Sequence, residues 1–231
     1  MKTFILLFPF VFSTLGAYPR ATAEGKIDRK AVVDRHRIIT QATNPKSPAQ
    51  VGNGEFAFGM DITGLQTFVP FNTLSHWGWH SFPLPAGKKV EDFKGVERET
   101  HGRKVRYDIG NQEQPELSQW LCGNPHSFNL GRVGFVLLKS DGSRATAGDL
   151  TQTRQEVDLW NGMVYSSFTI EGQPVMVQTA CDPLTDAIGV SVKSDLIRQG
   201  RIKIFLDFPY PDTREFADYV GTYDQPSAHT S

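Results

Sequence analysis

The chain has 231 residues, with 24 basic and 25 acidic side chains and a formal net charge of −1; 39% of its residues are apolar and 21% are charged. That composition belongs to a globular protein long enough to bury a sizeable core, and it excludes a disordered tail or a collagen-like fibre. The charge balance also excludes a nucleic-acid binder held by a basic surplus on phosphates.

Lys2 precedes an unbroken apolar run, residues 4–12 (FILLFPFVF), and small residues then lead to Ala21-Thr22-Ala23. This is the layout of a cleavable secretory signal over residues 1–23, leaving residues 24–231 as a single secreted or periplasmic domain. A spanning helix needs about 20 apolar residues. The run here contains Pro9 and is far shorter, so no membrane association is expected. In an oxidising compartment Cys122 and Cys181 could close one bridge, or both could be free, buried thiols; the spacing decides neither. No C-x-x-C redox motif and no N-x-[ST] sequon occurs.

The next elements read as sheet. Residues 33–41 and 55–61 suit strands, 44–48 (NPKSP) a loop, and 65–69 another strand. Residues 70–129 form a long excursion rich in Trp, His, Gly and Pro, the kind of insertion that carries function in a sheet protein. Strand signals then dominate: 132–139, 151–160, 163–170, 174–180, 187–192 and 201–208. Asn161-Gly162 and Glu171-Gly172 offer tight reversals between them. Short turns without intervening helices predict a mostly β fold, an antiparallel sandwich rather than βαβ units.

Gly52-Asn53-Gly54-Glu55-Phe56-Ala57 matches G-x-G-x-x-A. Prolines precede it and an alternating strand pattern follows, so a glycine turn feeding a buried strand is expected rather than a dinucleotide site. Trp77-Gly78-Trp79-His80 is the most unusual stretch. In an extended segment, residues two apart share a face, so Trp77 and Trp79 would present paired indoles to the apolar face of a sugar, with His76 or His80 reaching its hydroxyls. The alternative is that both indoles are core. His76 and His80 also form H-x-x-x-H, but Gly78 weakens a helix and no third ligand accompanies them, so no metal site is expected. Trp120 with Asn124-Pro125-His126 forms a second aromatic and histidine cluster. No nucleophile elbow, phosphate loop or Cys/His metal framework occurs, and no cofactor is expected. Glu55, Asp61, Glu97, Glu99 and Asp108 are scattered and read as surface acids, with no pair picked out for glycosidase chemistry.

The stretch 47–82, with 51–58 (VGNGEFAF), 61–67 (DITGLQT) and Trp77-Gly78-Trp79-His80, resembles the N-terminal region of secreted six-hairpin glycosidase-like proteins, related in architecture to glycoside hydrolase family 65. Asn124-Pro125-His126, 131–134 (GRVG) and Phe208-Pro209-Tyr210-Pro211 are similar to it as well. The resemblance implies a galactose-mutarotase-like antiparallel β-supersandwich, followed in full-length relatives by an (α/α)6 barrel that carries the catalytic acids. A β domain of this size has no room for that barrel. The expected function is therefore a carbohydrate-binding accessory domain, with Trp77, Trp79, His80, Trp120 and His126 bordering the sugar and a helical barrel as partner in a longer product. Two rivals remain open: a stand-alone aldose epimerase using His80 or His126 with Glu55, and a structural domain that docks on a barrel and binds nothing itself.

Overall fold

The computed structural model describes residues 26–108, 111–210 and 221–229. The signal sequence read over residues 1–23 lies outside the described residues. In chain order the elements are α1 (Arg29–Asp34), β1 (Ile38–Thr40), β2 (Ala49–Gly52), β3 (Phe56–Met60), β4 (Thr73–Ser75), β5 (Trp79–His80), β6 (Val96–Thr100) and β7 (Arg103–Tyr107). There follow α2 (Pro115–Gly123), β8 (His126–Ser127), β9 (Arg132–Leu137), β10 (Leu150–Asp158), β11 (Met163–Ile170), β12 (Gln173–Cys181), β13 (Ile188–Lys193) and β14 (Ile202–Asp207).

The fold is mostly β, and every strand pair is antiparallel. The largest sheet runs β1-β10-β11-β12-β13. Its centre is the β11–β12 hairpin, where period-two alternation puts Val164, Ser166, Phe168 and Ile170 on one face with Val175, Val177 and Thr179 opposite them. Glu171 and Gly172 turn that hairpin with φ of +49° and +77°, a two-residue turn whose twist matches the strands. The sheets β2-β3-β4 and β14-β9 supply the other half of the core. Val51, Phe58, Met60, Phe135 and Leu137 pack there against Val164, Phe168, Ile170, Val175 and Val177, giving the layout of a β-sandwich.

Three local expectations change. Residues 33–41 are not one strand: the Asp28 carboxylate accepts from the Ala31 amide at 3.0 Å and starts α1, so only Ile38–Thr40 pairs, with β10. Asn161-Gly162 is not a two-residue turn. The Asp158 carboxylate accepts from the Trp160 and Asn161 amides and the Asn161 side chain, widening the connection to four residues closed by Gly162 at φ +67°. Residues 65–69 are not a strand but part of an irregular loop, 61–69, threaded between the layers.

That loop is built around Asp61, which is 1% exposed and so corrects its reading as a surface acid. One carboxylate oxygen accepts from the Thr63 amide at 2.9 Å and the Thr63 hydroxyl at 2.6 Å; the other accepts from the Phe68 and Val69 amides at 2.6 and 3.3 Å. The buried Gln66 side chain donates to the Gly59 carbonyl and accepts from the Val133 amide. Gln155 donates to the Asp61 carbonyl and Thr179 to the Gly64 carbonyl, while Arg132 donates to the carbonyls of Gln66 and Thr67. Side chains thus satisfy backbone groups that a sheet would otherwise pair. Gly64, at φ +84°, passes so close to the large sheet that a Cβ would lie 3.0 Å from Val177 Cγ1.

The turns carry a pH dependence. Amide and hydroxyl donors from Ser140, reinforced by Arg201, hold the Glu171 carboxyl below the usual glutamate value of 4.5. Asp158 is lowered in the same way by Asn161, and Asp182 by Leu184 and Thr185. A depressed folded pKa means stability that is complete above the unfolded value and lost as pH falls through the folded one. The melting temperature is expected to fall on acidification below pH 4.5, and Glu171→Gln to flatten that fall while lowering the neutral-pH value. Thermal melts across the acid range check this.

Candidate functional site

The Trp/His stretch folds as a tight turn rather than one extended run. The Gly78 amide donates to the Ser75 carbonyl at 3.0 Å, the Trp79 amide to the Trp77 carbonyl at 3.2 Å, and the His76 amide to the Glu55 carbonyl at 2.8 Å. Gly78 lies so close to Leu130 that a Cβ would sit 2.9 Å from its Cδ2. The turn brings both indoles to the surface: Trp77 is 59% and Trp79 58% exposed, which removes the reading of both as core.

The two indoles have different surroundings. Trp77 donates its ring N–H to an Asp186 carboxylate oxygen at 2.9 Å, and the Ser75 hydroxyl bonds the same oxygen. The 182–187 loop that carries Asp186 is fixed by Asn53, whose side-chain amide donates to the Asp182 and Thr185 carbonyls at 3.2 and 3.1 Å. The Asn53 side-chain oxygen meanwhile accepts from the Glu55 and Phe56 amides. The glycine-rich motif at residues 52–57 is therefore a β2–β3 hairpin turn feeding a buried strand, as its sequence context indicates.

Trp79 stands on β5, opposite Ser127 of β8, with His80 opposite His126. His76, Trp79, Pro125, His126 and Ser127 line a surface cavity of about 300 Å³. His80, Phe82 and His126 form a ring cluster with centroids 5.0–5.3 Å apart, and the His126 Nδ1 lies 3.0 Å from the Gly123 carbonyl. Trp120, on α2, donates its ring N–H to the Phe82 carbonyl at 2.9 Å. Asn124 accepts from the Phe82 amide and donates to the Trp120 carbonyl. Of the five residues read from sequence, then, Trp79 and His126 meet at the cavity, His80 and Trp120 brace the segment behind it, and Trp77 sits at the neighbouring Asp186 contact.

Sequence reasoning missed Asp186 and Ser127. Asp186 lies 109 residues from Trp77, and no local spacing signals it. Glu55 is paired with His76, Nδ1 to Oε2 3.8 Å, rather than with His80 or His126 as the epimerase alternative needs. Cys122 and Cys181 are free thiols, which corrects the bridged alternative, and Cys122 is exposed rather than buried. Burial and the nearby carboxylates of Asp182 and Asp186 raise the Cys181 pKa, so its thiol is a poor nucleophile. Among the described residues no group of three or more His, Cys, Asp or Glu side chains is placed to hold a metal ion, and no helix is long and apolar enough to cross a membrane.

The arrangement can stack an apolar ring face on an indole while imidazole and hydroxyl groups meet polar substituents at its edge. Comparison with models of known protein families and with curated proteins finds no match to this chain.

Proposed function

We propose that this chain is a carbohydrate-binding domain of a secreted glycoside hydrolase, a galactose-mutarotase-like β-supersandwich whose catalytic acids reside in an (α/α)6 barrel partner. The observation that supports the reading most directly is Trp79: a large indole, 58% exposed, forming one wall of a cavity whose other walls are His76, His126, Pro125 and Ser127. The exposed indole offers a flat apolar surface that a ligand ring can cover with loss of water contact. A pyranose matches the wall on both counts, with C–H groups for the indole and hydroxyls for the imidazoles and Ser127. The braces support this reading too. Trp120 and Asn124 fix the Phe82 backbone from both sides, and Phe82 stacks on His126, so the cavity is set before ligand arrives.

Titrating the protein with a panel of neutral oligosaccharides while following tryptophan fluorescence tests the proposal. A saturable change is expected in the wild type, with affinity about tenfold weaker in Trp79→Ala and a smaller loss in Trp77→Ala. No response to any saccharide, or an unchanged response in Trp79→Ala, overturns it.

A further inference from the structure

The β9–β14 pair has one closed edge and one open edge. The Arg201 carbonyl accepts from the Leu138 amide at 2.9 Å, and the register pairs Lys203 with Val136, Phe205 with Gly134 and Asp207 with Arg132. In an antiparallel ladder this phase turns the N–H and C=O groups of 201, 203, 205 and 207 toward β9, and those of Ile202, Ile204 and Leu206 away from it. The far edge of β9 is occupied: Val133 exchanges hydrogen bonds with Gln66, and the Phe135 amide donates to Thr67. The far edge of β14 pairs with no strand among the described residues.

The side chains on that edge are apolar and uncovered. Ile204, Leu206 and Phe208 are 66%, 71% and 62% exposed. Ile204 sits opposite Phe135 and Ile202 opposite Leu137, so this face of β14 continues the face of β9 that builds the core. An open strand with an exposed apolar face is a template for another strand, and natural proteins cover or blunt such edges.

We propose that the edge is covered by β14 of a second copy, making a two-fold dimer with a continuous four-stranded β9-β14-β14-β9 sheet. Charge selects this occupant and its register. The outward groups of Ile202, Ile204 and Leu206 allow antiparallel self-pairing centred on Ile204, Phe205 or Leu206. Only centring on Phe205 places Lys203 opposite Asp207 of the other copy, and two-fold symmetry then forms that pair twice. The same register sets Ile204 opposite Leu206 across the axis on the apolar face. Lys203 forms no ion pair among the described residues, and Asp207, although it faces Arg132 in the β9 register, makes no direct ion pair there, so neither charge is neutralised by a contacting partner. Opposite charges facing across a strand pair stabilise it, and like charges there destabilise it.

Sedimentation equilibrium of the purified chain over a range of concentrations tests the proposal. A monomer–dimer equilibrium is expected in the wild type. Lys203→Asp, and separately Asp207→Lys, are expected to weaken it about tenfold or more, and the Lys203→Asp/Asp207→Lys double variant to restore it. Far-UV circular dichroism confirms that each variant folds. A monomeric mass at every concentration, with the edge then left for a different polypeptide, overturns the proposal. So does a dimer that the single charge reversals leave unchanged. Saccharide binding at Trp79 is read separately and does not bear on this outcome.

Discussion

Asp61→Ala is expected to destabilise the fold by about 3–5 kcal/mol, a large share of the roughly 5–15 kcal/mol available to a natural domain. The reason is what the substitution leaves behind. The Asp61 carboxylate accepts from three backbone amides and one hydroxyl, and the residue is 1% exposed, so water cannot replace it. Each buried donor left without an acceptor costs about 1–3 kcal/mol, and donors that share one acceptor relax together rather than adding in full. Asp61→Asn separates charge from geometry. It keeps one oxygen for the Thr63 donors but can turn an amide group toward the Phe68 and Val69 amides, so it is expected to recover only part of the loss. Urea unfolding midpoints of the three proteins decide the matter. A midpoint for Asp61→Ala within error of the wild type would show that residues 61–69 do not depend on this carboxylate.

The second large effect is expected at Phe168. Its ring is 1% exposed, lies opposite Val175 towards the turn end of the β11–β12 hairpin, and packs into the cluster shared by both layers. Phe168→Ala removes most of a buried ring and leaves a void that the surrounding strands cannot fill without breaking their ladders. The expected loss is about 3–5 kcal/mol. Met176, on the neighbouring β12 strand, is 51% exposed on the opposite face of the sheet, and Met176→Ala is expected to shift stability by about 0.5 kcal/mol or less. Equal effects at the two positions in the same denaturation experiment would contradict the assignment of faces.

The strands from residue 132 onward were legible because their alternation is regular and Glu171-Gly172 turns the β11–β12 hairpin as its residues indicate, whereas at Asn161-Gly162 the reversal is where the sequence puts it but Asp158 sets its length. The 163–170 strand coincides with β11, and the run at 174–180 falls inside β12. The first half was less legible for physical reasons. The loop around Asp61 is as apolar as a strand, and its backbone partners come from Gln155, Thr179 and Arg132, which no local window contains. Helix α2 is short, and only Pro115 in its first turn marks it. The hairpin of β6 and β7 is exposed along both strands and carries little hydrophobic alternation for a pattern to show. At the site, exposure of Trp77 and Trp79 follows from the small and polar residues around them. Their separation into two environments follows from the turn at residues 75–79 and from Asp186, and neither is written in the spacing of the indoles.

The threading of residues 61–69 between the layers has a consequence for the order of assembly. Its hydrogen bonds reach Gln155 and Thr179, 94 and 115 positions further along the chain. Closing contacts over such spans costs chain entropy before any packing returns it. An N-terminal piece that stops before β12 lacks the Thr179 partner and cannot seat this segment, whatever local structure its hairpins form. Acquisition of the native state is thereby tied to synthesis of nearly the whole sandwich, and the early hairpins wait on the late ones.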